Sequence, residues 1–218
     1  MGRTLPITER TWKKLTDCNR FSVDAGWASS GVFAPGIGPE YDPDGRSALL
    51  YVGKSAGPLG SLVGSNHDQA SSILASTKWM VERTNKSAFW QMLELIDPTR
   101  RKIAWTNICK MDEIGGSRPP SKQRWAGISS PHMMALQEEF EFLAPRVILF
   151  ATSRYCEDDT GTLLAGLGYE YRALDFDDGL TRFLAGPQGK FAIETRHPQG
   201  WATSERSRVF GLVKRLLG

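Results

Sequence analysis

Three short stretches of this 218-residue chain carry side chains of the kinds that perform chemistry. Gly53-Lys54-Ser55-Ala56-Gly57-Pro58-Leu59-Gly60 combines glycines with an amine and a hydroxyl. Asn107-Ile108-Cys109-Lys110 sets a carboxamide ahead of a second amine, and Arg196-His197-Pro198-Gln199-Gly200 sets an imidazole beside a proline. An imidazole changes protonation near neutral pH and can donate or accept a hydrogen bond. A carboxamide offers a donor and an acceptor together, so it can match a ligand edge that presents both. Each residue also has an ordinary use: asparagine in a turn or helix cap, histidine satisfied by loop backbone, lysine and arginine on a solvated face.

What makes the three stretches informative is their setting. Each follows a short apolar run: Ala48-Leu49-Leu50-Tyr51-Val52, Ile103-Ala104-Trp105-Thr106 and Phe191-Ala192-Ile193-Glu194-Thr195. A further run, Val147-Ile148-Leu149-Phe150-Ala151, exits into Thr152-Ser153-Arg154-Tyr155. The runs are near-continuous rather than alternating, as expected of strands covered on both faces of a parallel sheet. Helical periodicity appears over residues 87–96, 131–143 and 204–217. Strand then helix, repeated, predicts an α/β fold. We expect one domain over residues 1–218, a three-layer sandwich with a central, mainly parallel four-stranded sheet flanked by helices. Residues 47–218 form its core and 1–46 an irregular N-terminal part. Residues 169–174 and 181–184 are candidates for two further strands. In an open parallel sheet, ligands bind outside the carboxyl ends of the strands, which is where the chemistry-bearing stretches fall.

Bulk properties narrow the class. Apolar residues make up 40% and charged residues 23%, ordinary for a globular protein, and the net charge of +3 leaves a polyanionic partner open without requiring one. Three scattered cysteines, Cys18, Cys109 and Cys156, offer no metal-ligand spacing and read as reduced thiols in a cytoplasmic protein. No apolar stretch approaches the ~20 residues that span a bilayer, and no signal peptide is evident.

In order and setting, a strand ending in Gly-x-x-x-Gly-Pro-x-Gly, a second ending in Asn-x-x-Lys and a last ending in His-Pro resemble the uracil-DNA glycosylase superfamily. The resemblance covers most of the chain, from about residue 48 to the C-terminal helix. Residues 52–60 are most similar to the first motif of the single-strand-selective branch. Thr106-Asn107-Ile108-Cys109-Lys110, followed by Gly115-Gly116-Ser117-Arg118-Pro119-Pro120, looks more like the thermophile-type branch. The resemblance implies a monofunctional DNA glycosylase that hydrolyses the N-glycosidic bond of a flipped pyrimidine, uracil or a modified base, and leaves an abasic site. It implies DNA as partner, a monomer, no cofactor and no metal. Such a reaction leaves an oxocarbenium-like sugar and an anionic base, so it needs a donor at the departing oxygen and a group that favours positive charge or orients water. By resemblance, His197 is that donor. Asn107 reads the base edge, Phe89 or Trp90 stacks on the base, and Gly53 and Gly57 shape the base-side loop. Lys54, Lys110, Arg118, Arg196 and Gln199 are expected to track phosphates, with Trp201 as a wedge that fills the gap left by the extruded base.

The chain departs from the family in its first motif. Where an Asn, Asp or Glu normally positions the attacking water, this chain has Ser55, which can hold a water but supplies no negative charge. Asp68 or Asp112 is a candidate replacement, or the target is a modified pyrimidine. Leu59 replaces an aromatic, and Met111 stands where a cluster-binding cysteine would fall, so no iron–sulfur cluster is expected.

Rival readings have specific weaknesses. Residues 48–55 fit a loose phosphate-loop pattern, but Leu49, Leu50, Tyr51 and Val52 are strand residues rather than a glycine-rich cradle. Gly31-Val32-Phe33 and Tyr51-Val52-Gly53 resemble the motifs of GIY-YIG nucleases, yet residues 61–67 lack the arginine which that fold needs. A third possibility is a DNA-binding module that kept the pocket and lost turnover.

Overall fold

The computed structural model of the chain describes residues 4–55, 68–82, 87–114, 119–153, 155–173 and 181–218. Two site residues expected from sequence, Gly57 and Arg118, lie outside them, as does Arg154. The chain is α/β, with a mostly parallel central sheet flanked by helices. The strands are β1 (Gly36–Ile37), β2 (Leu49–Ser55), β3 (Ile103–Cys109), β4 (Val147–Ala151), β5 (Glu170–Arg172), β6 (Arg182–Ala185) and β7 (Phe191–Thr195). The sheet therefore has seven strands rather than the expected four, in the order β1-β3-β2-β4-β7-β6-β5. The four apolar runs supply its parallel centre, β3-β2-β4-β7. The other three strands join antiparallel at its two edges.

Alternation along the strands builds the two faces. Leu49 and Tyr51 enter one buried cluster with Trp90, Leu93, Val209 and Val213, while Leu50 and Val52 enter another with Ile128, Leu136, Phe140 and Leu164. The first face is covered by α3 (Ala88–Glu94) and α6 (Thr203–Leu217), the second by α4 (Lys122–Leu143) and α5 (Glu157–Gly166). Helix α4 begins nine residues before the expected start and carries Pro131 in its interior, with Ser121 as its cap.

The N-terminal part is irregular only after its first helix, from residue 25 to 48, apart from the short β1. Thr8 caps a helix, α1 (Glu9–Asp24), by accepting from the Thr11 N–H, and Glu138 on α4 ties that start down by accepting from the Thr8 N–H at 2.6 Å. Helix α2 (Gln69–Val81) lies against β1 through small polar residues. Ser72 Oγ accepts from the Ala34 N–H and donates to Val32 O, and Thr77 Oγ1 accepts from the Ile37 N–H. A Cβ at Gly36 would come within 3.0 Å of Ser76 O, so the glycine sets how closely helix and strand approach.

Lys110 is not on the surface. It is fully buried, its Nζ 2.6 Å from Glu139 Oε2 and 2.7 Å from Thr106 Oγ1, and it cannot track phosphates from there. Burial lowers the Lys110 pKa and raises that of Glu139, and each charge opposes the effect on the other. His132 accepts from the Lys110 N–H through Nδ1, and burial with the Lys110 charge lowers its pKa to about 3. Lys110→Ala would strand the Glu139 carboxylate in the core, with an expected loss of roughly 3–5 kcal/mol in stability. Urea unfolding of the variant checks this, and a loss under about 1 kcal/mol would contradict it.

Candidate functional site

Strand β2 sits between β3 and β4, so the chain crosses to one side of it and then to the other. Such a reversal opens a crevice outside the carboxyl ends of the strands. Gly53, Lys54 and Ser55 end β2 at this crevice, with Asn107 beside them on β3, Ser153 after β4 and His197 after β7.

Gly53 is the hub. It pairs in register with Asn107, and a Cβ here would come within 2.3 Å of the end of the Asn107 amide and 3.2 Å of the Phe89 ring. Only the missing side chain lets amide and ring meet across the strand. Phe89 is held from below by Tyr51, whose ring centroid is 4.2 Å away and whose hydroxyl donates to Phe89 O at 3.2 Å. The His197 imidazole is a second neighbour of the Phe89 ring, centroids 6.0 Å apart and planes 19° from parallel. Asn107, Gly53, Phe89 and His197 therefore form one continuous set of neighbours.

The hydrogen bonds define what each group can still offer. Asn107 is 1% exposed, and in the orientation its neighbours satisfy, its amide nitrogen donates to Ser55 O at 3.2 Å and Thr106 O at 3.3 Å. The amide oxygen remains as its acceptor. His197 is fixed twice: its backbone N–H donates to Ser153 Oγ at 2.7 Å, and its Nδ1 accepts from the Gln199 N–H at 3.3 Å. With Nδ1 an acceptor, the proton of the neutral ring sits on Nε2, which is then a donor. Burial, and secondarily the Lys54 ammonium, lower the His197 pKa and hold the ring neutral at pH 7. Burial likewise lowers the pKa of half-buried Lys54.

The remaining candidates fare differently. Asp68 is exposed and caps α2, its carboxylate accepting from the Ser71 N–H at 2.8 Å. Asp112 is buried at 1%. Arg196 is half-buried and paired with Glu205 at 2.5 Å, so it meets the rim with its charge already shared. Gln199 is exposed. Trp201 is not a wedge: it is 6% exposed and belongs to the same core cluster as Val209 and Phe210. Trp90 is also core, at 2% exposure, which leaves Phe89 as the aromatic of the site.

Two contributors were not singled out from the sequence. Ser153 holds the His197 backbone from a left-handed conformation, φ 51°, uncommon for a residue with a side chain. Its signal was its place at the exit of the run over residues 147–151. Tyr51 supports Phe89, and its signal was an aromatic two residues before the glycine. Among the described residues, no group of three His, Cys, Asp or Glu side chains is arranged to hold a metal ion, and no helix is long and apolar enough to cross a membrane. Comparison with known proteins finds no family model that matches the chain and no curated protein that matches it.

Two outcomes follow from this geometry. An NMR titration should show the His197 ring titrating below its ordinary 6.5, and Lys54→Met should move the midpoint upward, because a nearby positive charge disfavours protonation. Gly53→Ala should push aside the Asn107 amide or the Phe89 ring and lower stability by about 1–3 kcal/mol, read by thermal melting.

Proposed function

We propose that the chain is a DNA N-glycosylase of the uracil-DNA glycosylase type, acting on a flipped pyrimidine. The observation that carries the reading is the contiguity of Asn107, Gly53, Phe89 and His197 at the sheet's switch point. In this reading the base stacks against Phe89 and donates its N3–H to the Asn107 amide oxygen. The neutral His197 donates from Nε2 to the base oxygen as negative charge develops there. The Lys54 charge adds positive potential felt at His197. Since the Asn107 amide protons are already given to Ser55 O and Thr106 O, bases with an N3–H, uracil or thymine and their derivatives, fit better than cytosines, whose N3 is an acceptor.

A second reading, a DNA-binding module without turnover, is favoured by the burial of Asn107 and by the use of Asp68 as a helix cap. Incubation with oligonucleotides carrying uracil, thymine mismatches or modified cytosines, followed by hot alkali, separates the two. Strand breaks at the target base indicate excision; retention of DNA without breaks indicates the module. For the enzyme, His197→Ala and Asn107→Ala should keep the fold and lower excision at least about tenfold, roughly 1.4 kcal/mol of barrier. Wild-type rates from either variant would remove its assigned role.

A further inference from the structure

The buried charges of the core lie directly behind the candidate site. Thr106 and Asn107 are neighbours on β3, so their side chains leave opposite faces of the sheet. Asn107 meets Gly53 and Phe89 on one face, and Thr106 reaches α4 on the other. There its hydroxyl donates to Glu139 Oε2 at 2.7 Å and accepts from Lys110 Nζ at 2.7 Å, while Lys110 Nζ also donates to Glu139 Oε2 at 2.6 Å. The three polar side chains close a triangle, and each is fully buried. Lys110 is held by its main chain as well. Its N–H donates to His132 Nδ1 at 2.9 Å, and its carbonyl accepts from the Phe33 N–H at 2.8 Å. His132 and Glu139 stand about two turns apart on α4 and so share the face turned to the strand.

Such a triangle is a poor way to gain stability. Two charges taken out of water lose hydration that their attraction only partly returns, and apolar side chains of the same volume commonly serve a core as well. What directed hydrogen bonds provide, and apolar contacts do not, is a fixed relation between the groups they join. Here they tie the chain on both sides of Asn107, at Thr106 and at Lys110, to one helix. The Asn107 amide depends on that backbone. Its nitrogen donates to Thr106 O at 3.3 Å and to Ser55 O at 3.2 Å, which leaves its oxygen as the acceptor it can offer. A tilt of the strand at Thr106 displaces one of the two carbonyls that orient the amide.

We propose that Thr106, clamped by Lys110 and Glu139, is a positioning residue that sets the orientation of the Asn107 amide toward a base N3–H. The proposal rests on the glycosylase reading for its substrate, since it is there that the amide oxygen receives a base proton. Thr106 touches no substrate. It acts through its own carbonyl, which the Asn107 amide uses, and through the strand it anchors. The role belongs to the hydroxyl, which joins the strand to the buried pair, while the methyl group contributes packing alone. Thr106→Val nearly keeps the shape of the side chain and removes both hydrogen bonds. Thr106→Ser keeps both bonds and removes the methyl. The two variants therefore separate orientation from packing.

The test uses the full chain labelled with heavy nitrogen, and NMR identifies the side-chain amide signals of Asn107 by their loss in Asn107→Ala. In Thr106→Val these signals should move or broaden relative to wild type. In Thr106→Ser they should stay in place, even though loss of a buried methyl lowers the melting temperature. Thr160→Val, which removes from α5 a buried hydroxyl bonded to Cys156 O, should leave them unchanged. On a uracil-bearing oligonucleotide, Thr106→Val should lower kcat/KM at least about fivefold and Thr106→Ser less than about twofold. Unmoved Asn107 signals in Thr106→Val, or equal displacement in both variants, would overturn the proposal. Undiminished excision by Thr106→Val, from a wild-type chain that does excise, would overturn it too. If the wild-type chain releases no base, the glycosylase reading falls, and the amide signals alone still decide whether Thr106 orients Asn107.

Discussion

The site depends on a missing atom. At Gly53 the central strand has no side chain on the face that Asn107 and Phe89 share, and a single methyl group there would come within 2.3 Å of the amide. Because β2 and β3 run parallel and in register, Asn107 lies level with the glycine, and α3 delivers Phe89 to the same point. His197 then joins through the ring it faces. Packing of the kind found in protein interiors leaves little room for adjustment, so the backbone at this one position fixes the spacing of all four groups.

The centre of the fold was legible because burial on both faces forces continuous apolar runs, and all four runs became parallel strands. The edges were less so. Strand β1 has only two residues, too few to register as a pattern, whereas β5 and β6 fall at the two further candidates over 169–174 and 181–184. Helix α1 was hidden for a different reason. Beside Trp12 and Leu15, its buried residues are Thr11, Thr16, Asn19 and Ser22. Those polar groups are hydrogen-bonded, as when Asn19 donates to Ser29 O and accepts from the Gly31 N–H and Thr11 donates to Glu138, so the helix packs without an apolar stripe. Helix α2 likewise buries polar residues, Gln69, Ser72 and Ser76.

For the candidate site, residue type and strand position pointed to Asn107, His197 and Gly53, since ligands of an open sheet bind at strand exits, while Phe89 entered through the resemblance. Charge alone was a poor guide. Lys110 and Arg196 look alike in sequence to Lys54, and only tertiary structure shows that Glu139, 29 residues away, and Glu205 claim the first two. Trp201 likewise reads as an exposed wedge after His-Pro, whereas the core beneath α6 takes it in. Long-range partners decide which polar residues are free to act, and a linear chain does not display them.

Glu205 has one more role. Its carboxylate accepts from the Ala202 N–H at 2.7 Å at the start of α6 and simultaneously clasps Arg196 across the turn. The seven-residue stretch from 196 to 202 is thereby buckled at both ends by one side chain, with His197 inside the loop so formed. Fraying of the last helix from its first turn would therefore slacken the histidine's mooring, so the integrity of the chain's final segment and the aim of its imidazole are thermodynamically linked.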